Sequence, residues 1–526
     1  MPANHYDLIV IGSGPAGEKG AAQAAYFGKR VALIEREPVL GGATANTGTL
    51  PSKTLRETAL FLSGFRHREL DGLDFRGLKD QVTVPDFMGR KKVIVERERQ
   101  RIRDNLDRHG IALHQGAASF VDAHTIAVHP PLPPLVKGGM GGVADTSETR
   151  LTGDVILIAT GASPYRPPEF DFADPRVYDS DTILGLRDIP RSMLVVGGGV
   201  IGCEYACTFA ALGIQVRLVE KRERIILTLD GEIAAALQAE MQEMGVRLRL
   251  GDTVDSIRYG APEKGTGPLN AKGPVPFSGA GALEKGTGPL NAKGPVPFSG
   301  AAEQIDVTLK TGAVVHVDTI LVSAGRLGNT KTLNLAALGI DVDARGRIPV
   351  NEHYQTSVPS VYAAGDVING PGLASTAIEQ ARVAMVHAFQ IKYFGSKGKQ
   401  AVAPVLPYAI YTIPECSMAG ETEESLQEKN IPYVVGRAAY DKNARGQIIG
   451  DLGGFLKLLF HPDDMKLLGV HVLGEQAAEL VHVGLSALLM GEGADLFIQT
   501  CYNYPSLTDL YKYATYDALG KLPRGQ

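Results

Sequence analysis

Two six-residue glycine patterns carry the first chemical information in this 526-residue chain. Gly12-Ser13-Gly14-Pro15-Ala16-Gly17 follows the apolar run Tyr6 to Ile11, and the run Val31 to Ile34 comes next, ending at Glu35, 23 positions after Gly12. In this spacing the first glycine permits a tight turn, the second lets backbone approach a pyrophosphate, and the third lets helix and strand pack closely. The following helix then aims its N-terminal N–H groups at phosphates, and the carboxylate accepts from ribose hydroxyls. The unit recurs as Leu194 to Val196, then Gly197-Gly198-Gly199-Val200-Ile201-Gly202, then Val216 to Val219 with Glu220 at its end. Two such units imply two dinucleotides.

Elements of a definite kind must position these residues. Each glycine pattern needs a strand before it and a helix after it; residues 21–29 (AAQAAYFGK) predict the first helix, and Gly213 is a plausible cap for the second. The expected fold class is α/β, with two Rossmann-like dinucleotide-binding domains and a C-terminal α+β domain. Charged residues are 21% and hydrophobic ones 44%, ordinary for a globular protein, and the length suits two to four domains. A net charge of -5 with no basic run excludes a nucleic-acid footprint. No apolar stretch reaches the length of a membrane span, and the N-terminus lacks the layout of a signal peptide, so a cytoplasmic protein is expected. Four cysteines make no disulfide framework, and no metal-ligand set is read. Cys203 and Cys207 lie four apart on a predicted helix; they read as small buried residues, since helix geometry aims the pair poorly for a disulfide.

Residues 41–53 read GGATANTGTLPSK. The segment resembles the redox-disulfide segment of the pyridine nucleotide–disulfide oxidoreductases, with Gly42, Asn46 and Pro51-Ser52-Lys53 matching and Thr44 and Thr49 standing in place of both cysteines. A threonine hydroxyl forms no disulfide. The resemblance extends through Thr160-Gly161, the exit from the flavin domain, through Gly325-Arg326 with Asn329, the return crossing, and through Gly365-Asp366, whose aspartate accepts from the ribityl chain of FAD. It implies that Lys53 pairs with Glu204 beside the flavin. It also implies that residues 503–509 (NYPSLTD) replace a His-Pro motif, with Tyr504 where the acid–base histidine would be. An unperturbed tyrosine, with a pKa of about 10, is a poor base near neutrality. Tyr504 therefore reads as an interface residue or a catalytic one.

NYP, GTLPSK and GEQAAELVHVG together resemble the soluble NAD(P) transhydrogenases, which move hydride between NADPH and NAD through FAD. The expected cofactor is FAD, with NAD(H) and NADP(H) as substrates and a homodimer or larger homo-oligomer as the assembly. The FAD-binding set is then Gly12, Gly14, Gly17, Glu35, Gly42, Thr44, Thr49, Thr160, Gly161, Gly325, Arg326, Gly365 and Asp366. Gly197, Gly199, Gly202 and Glu220 serve the nicotinamide nucleotide, with Arg222 or Arg224 facing a 2′-phosphate. The expected domains are 1–165 and 329–403 for FAD, 166–328 for NAD(P), and 404–526 for dimerisation. Residues about 130–149, rich in Pro and Gly, and about 260–302, holding a duplicated EKGTGPLNAKGPVPFSGA, read as flexible hairpin-tip insertions. Competing readings are an NAD(P)H diaphorase or quinone reductase, and a catalytically idle flavin-bound binding module.

Overall fold

The computed structural model describes residues 4–63, 83–130, 148–260, 304–392 and 401–523. Both expected insertions fall largely outside these residues. Their flanks do pair: Val128 lies opposite Thr149, and Tyr259 opposite Ile305, each in an antiparallel ladder.

The first glycine unit builds a seven-stranded sheet: six strands in the order Ala112–Gln115, Val31–Glu35, His5–Ile11, Thr149–Ile158, Thr125–His129 and Ala117–Asp122, with Val361–Ala363 also beside Thr149–Ile158. The first four of these pair in parallel, and the last two join through antiparallel ladders. On its edge away from His5–Ile11, the ten-residue strand Thr149–Ile158 serves two neighbours. Its start pairs with Thr125–His129, and its end with Val361–Ala363, which arrives some 200 positions later in sequence. All five residues of Val31–Glu35 are buried, as a parallel strand covered on both faces requires.

The second unit builds a five-stranded parallel sheet in the order Arg247–Leu250, Gln215–Glu220, Ser192–Val196, Thr319–Val322 and Val177–Asp179. In each sheet the strand before the glycine loop has its successor on one side and a later strand on the other. The loop therefore sits at a topological switch point, where open α/β sheets bind ligands. Between the sheets the chain crosses twice, and the crossings Ala162–Pro164 and Arg326–Gly328 pair antiparallel. A third sheet, Tyr408–Ile410, Cys416–Gly420, Leu467–Leu473, Phe455–Phe460 and Val434–Ala439, is antiparallel throughout.

The helices follow the loops with small differences from the sequence reading. The first runs Pro15–Tyr26, ending before residues 27–29 because Gly28 turns to φ 78°. The second runs Val200–Ala211, with Gly213 at φ 89° just past its end, as expected of a glycine cap. One buried cluster joins the regions: Leu55 and Ala59 of the helix Thr49–Leu62, Cys203, Tyr205, Cys207 and Phe209, and Ile410, Ile413 and Cys416 share a single apolar core. That core fixes three otherwise distant segments against each other.

Candidate functional site

A cavity of about 1130 Å³ runs from the first glycine loop to the junction of the three sheets. Gly12, Gly14, Glu35, Gly42, Thr44, Thr49, Lys53, Thr160, Gly161, Glu204, Arg326, Gly365 and Asp366 all line it. The loop geometry explains the glycines. Gly12 has φ 102°, and a Cβ there would lie 2.5 Å from the Ala159 carbonyl oxygen. A Cβ on Gly17 would lie 1.8 Å from the Gly12 oxygen, so helix and loop touch only because both positions are bare. A Cβ on Gly42 would approach Gly14 Cα to 2.9 Å, which keeps the floor between the two loops open.

Glu35 is buried at the strand end. Its Oε2 accepts from the Ser13 N–H (2.9 Å) and hydroxyl (2.6 Å), and its Oε1 accepts from the Glu37 N–H (2.9 Å). Ser13 Oγ in turn accepts from the Gly41 N–H at 2.9 Å, which ties the glycine loop to the segment carrying Thr44. Sequence reasoning passed over Ser13, although its place between two glycines was in view.

At the other end of the cavity, Lys53 Nζ donates to Glu204 Oε2 at 2.6 Å, and Glu204 Oε1 accepts from the Tyr411 N–H at 2.9 Å. The lysine ammonium lies 5.1 Å from the centre of the Tyr411 ring. Lys53 comes from the helix Thr49–Leu62, Glu204 from Val200–Ala211, and Tyr411 from the loop after Tyr408–Ile410. Tyr411, missed as a site residue, completes the pair.

Two polar groups in the wall have no hydrogen-bond partner among the described residues. Thr160 Oγ1 is buried with no hydrogen-bond partner among the described residues. Its backbone carbonyl is taken by Asn329 Nδ2 at 2.9 Å. Burial raises the Asp366 carboxyl above the ordinary range, against the opposing charge of Arg326, and no described residue donates to it. A buried hydroxyl left unsatisfied costs free energy unless a ligand pairs with it, and the half-buried Asp366 carboxylate is open to a ligand's hydroxyls. The bare glycine floor, Thr160 and Asp366 therefore fit a bound dinucleotide with a polyol segment. Arg326 Nη1 reaches Asp181 at 3.2 Å and Ser180 at 3.4 Å, joining the two parallel-sheet regions.

The second glycine loop repeats the first, but only its Val200 and Ile201 reach this cavity; Gly197, Gly199, Gly202, Glu220, Arg222 and Gly325 do not line it. Gly197 has φ 107°, and a Cβ on Gly202 would lie 1.9 Å from the Gly197 oxygen, while one on Gly199 would meet open space. Gly325 takes φ 104° at the return crossing. Glu220 Oε2 accepts from the Gly198 N–H (2.6 Å) and Arg222 Nη2 (2.9 Å); its Oε1 accepts from the Arg222 N–H (3.0 Å) and Nε (2.7 Å). Burial alone would raise this carboxyl; the Arg222 guanidinium and the backbone N–H groups overcome it and hold it below the usual range. Arg224 is committed elsewhere: it donates to Glu424 at 2.8 Å and to the carbonyls of Leu227 and Leu229 at 3.3 Å each.

Tyr504 stands apart from the cavity at 78% exposure. All four cysteines are free. Burial pushes the Cys203 and Cys416 thiols up, and Cys207 up to about 12, which makes them inert. Asp230, Glu232 and Glu423 cluster closely enough for a cation, and the chain supplies its own. Lys457 Nζ binds Asp230 at 2.7 Å, Glu232 at 2.9 Å, and Glu423. Among the described residues no helix is long and apolar enough to cross a membrane.

Comparison with known proteins agrees with this geometry. The pyridine nucleotide-disulphide oxidoreductase family matches residues 6–266 and 291–381, and its dimerisation domain matches residues 406–515. A soluble pyridine nucleotide transhydrogenase of Mycobacterium bovis (strain BCG) is 40% identical over 517 residues, covering 98% of each chain. One from Colwellia psychrerythraea is 36% identical over 520 residues, with the same coverage. The fold matches LpdA of Mycobacterium tuberculosis at TM-score 0.79 and 23% identity, covering 97% of this chain and 99% of that one. It also matches the HOCl-induced flavoprotein disulfide reductase RclA of Escherichia coli at TM-score 0.76 and 24% identity, covering 98% and 100%. Two glycine loops at two switch points, a lysine–glutamate pair between them and an antiparallel third sheet thus have one common explanation: the chain belongs to the pyridine nucleotide-disulphide oxidoreductase family.

Proposed function

We propose that this protein is a soluble pyridine nucleotide transhydrogenase that converts NADPH and NAD+ to NADP+ and NADH, reversibly, through bound FAD and without a redox dithiol. The observation that carries the reading is the composition of the cavity around Lys53. The Lys53–Glu204 pair is intact, while the neighbouring positions 44 and 49 offer hydroxyls and every cysteine lies elsewhere. The two transhydrogenases of similar sequence support the same reaction.

Residues 1–165 and 329–403 hold the FAD. Gly12, Gly14 and Gly17 let the backbone and the N-terminus of the helix Pro15–Tyr26 meet its pyrophosphate, and Glu35 accepts from the adenosine ribose. Gly42, Thr44, Thr49, Gly161, Gly365 and Arg326 shape the wall, Thr160 Oγ1 supplies a hydrogen bond, and Asp366 accepts from the ribityl chain. The chemistry that bound FAD would supply is hydride exchange between a reduced and an oxidised nicotinamide. Lys53, held in place by Glu204, presents its ammonium group to the reacting end of the cavity.

Residues 166–328 take NADPH and NAD in turn at one place. An ionised carboxylate offers about four acceptor positions, and at Glu220 all four are filled. A ribose hydroxyl of NAD displaces the Arg222 side chain and takes its acceptors. With NADP, the freed guanidinium meets the 2′-phosphate, which Glu220 alone would repel. Residues 404–526 pair two copies, and exposed Tyr504 serves at that contact. The test is NADH formation from NADPH and NAD by purified, FAD-loaded protein, before and after alkylation of accessible thiols. Equal rates are expected; loss of turnover on alkylation would contradict the thiol-free reading.

A further inference from the structure

The Lys53–Glu204 pair is held by a second ionic contact one helical turn away. Arg56 follows Lys53 on the helix Thr49–Leu62, at the i,i+3 spacing that places two side chains on one face. Its Nε donates to the Thr412 carbonyl at 2.9 Å, and its Nη1 lies 3.2 Å from Glu415 and 2.7 Å from Glu57. Arg56 and Glu415 are both buried. Glu415 is fixed in turn: its Oε2 accepts from the Ala478 N–H at 3.2 Å, and its carbonyl accepts from the Gly474 N–H at 2.9 Å.

These contacts close a ring. From Lys53 it passes to Glu204, from Glu204 to the N–H of Tyr411, along one residue to Thr412, and back through Arg56 to the helix of Lys53. The loop Tyr411–Glu415 thus gives Glu204 its second donor and offers the aromatic face near Lys53, yet its own position depends on Arg56 and Glu415. Neither residue lines the cavity. We infer that Arg56 and Glu415 form a positioning pair, which sets the place of the Lys53 ammonium at the cofactor by locking the Tyr411 loop onto Glu204.

The inference rests on the FAD reading above, and its test separates the two. Arg56→Lys keeps the charge but loses the fork that spans carbonyl and carboxylate. Glu415→Gln keeps size and the acceptor for Ala478 but removes the charge. Each is prepared alone and with Lys53→Met, loaded with FAD, and compared for flavin absorption, flavin midpoint potential and the rate of reduction by NADPH. Both single variants should shift the absorption spectrum and midpoint potential and slow reduction on the order of tenfold, the scale of a modest misplacement. In the Lys53→Met background the same substitutions should change reduction by less than about twofold, because their effect runs through Lys53. Effects that multiply independently in the double variants, or single variants matching wild type in spectrum, potential and rate, would overturn the positioning role. Should Arg56→Lys fail to fold, Glu415→Gln carries the cycle alone. Wild-type protein that takes up no FAD would sink the flavin reading and this inference with it.

Discussion

Glu35 and Glu220 end equivalent strands of the two parallel sheets, and each accepts from the N–H of the residue after the first glycine of its loop. Each also accepts from the N–H two positions further along its own chain segment, Glu37 and Arg222. The difference is in the remaining donors. Glu35 takes the small Ser13 hydroxyl and keeps one acceptor position open; Glu220 takes both arms of an arginine and keeps none. The first arrangement suits a ligand that stays, since nothing must move for it to bind. The second has to open for each ligand, which suits nucleotides that come and go. The surroundings agree: Gly12 to Ala16 of the first loop line the cavity that holds the unpartnered threonine hydroxyl, whereas of the second loop only Val200 and Ile201 reach it.

The largest expected effect tests how the second unit is anchored. Asp230 caps the helix Gly231–Glu243 and is bound by Lys457, which is 0% exposed and comes from the antiparallel sheet. Lys457→Met should cost about 3–5 kcal/mol of unfolding free energy in urea, because the buried Asp230 carboxylate loses its counter-charge. Burial pushes the Asp230 carboxyl up, but Lys457 and nearby His471 overcome it and hold it below the ordinary range. A depressed carboxyl contributes stability above pH about 4 and loses it as pH falls further. The difference in stability between wild type and Lys457→Met should therefore shrink below pH 4; a constant difference from pH 3 to 7 would break the account.

Paired glycine substitutions come next. Gly17→Ala and Gly202→Ala each force a Cβ onto a backbone oxygen and should cost about 3 kcal/mol in their own sheet. Only Gly17→Ala should lose the yellow cofactor, whereas Gly202→Ala should keep it and lose nucleotide binding by calorimetry. Loss of colour from both would show that the two units do not divide the work. Smaller still, Glu220→Ala should weaken NAD more than NADP, and Arg222→Gln should weaken NADP about tenfold while sparing NAD, in line with the strength of charge-assisted hydrogen bonds. Equal changes for both nucleotides would remove the exchange argument. The smallest is Thr160→Val, which should loosen FAD about threefold to tenfold by deleting one hydrogen bond; unchanged affinity would leave the orphaned hydroxyl without a purpose.

Much of this was legible in the chain because the informative residues are close in sequence. Each glycine loop and its acid span fewer than 30 positions, and the missing thiols lie within a single segment. What sequence could not supply were contacts between distant segments. Arg56 meets Thr412 across 356 positions, and Arg224 meets Glu424 across 200. Arg224 therefore read as an equal candidate with Arg222 for a phosphate, until its carboxylate partner came into view. Arg56, three residues from Lys53, was in plain sight, but nothing local distinguishes it from a surface arginine. The 3.6-residue repeat that puts it on the face of Lys53 was the one available signal.

The most direct test of the central claim is an anaerobic stopped-flow experiment on the FAD-loaded protein. NADPH is mixed first, in an amount equal to the flavin, and NAD is added with no other acceptor present. The account expects bleaching of the flavin band by NADPH, then its return on addition of NAD with one NADH formed per flavin. Bleaching that NAD does not reverse would contradict transfer between nicotinamides and leave the electrons to another acceptor.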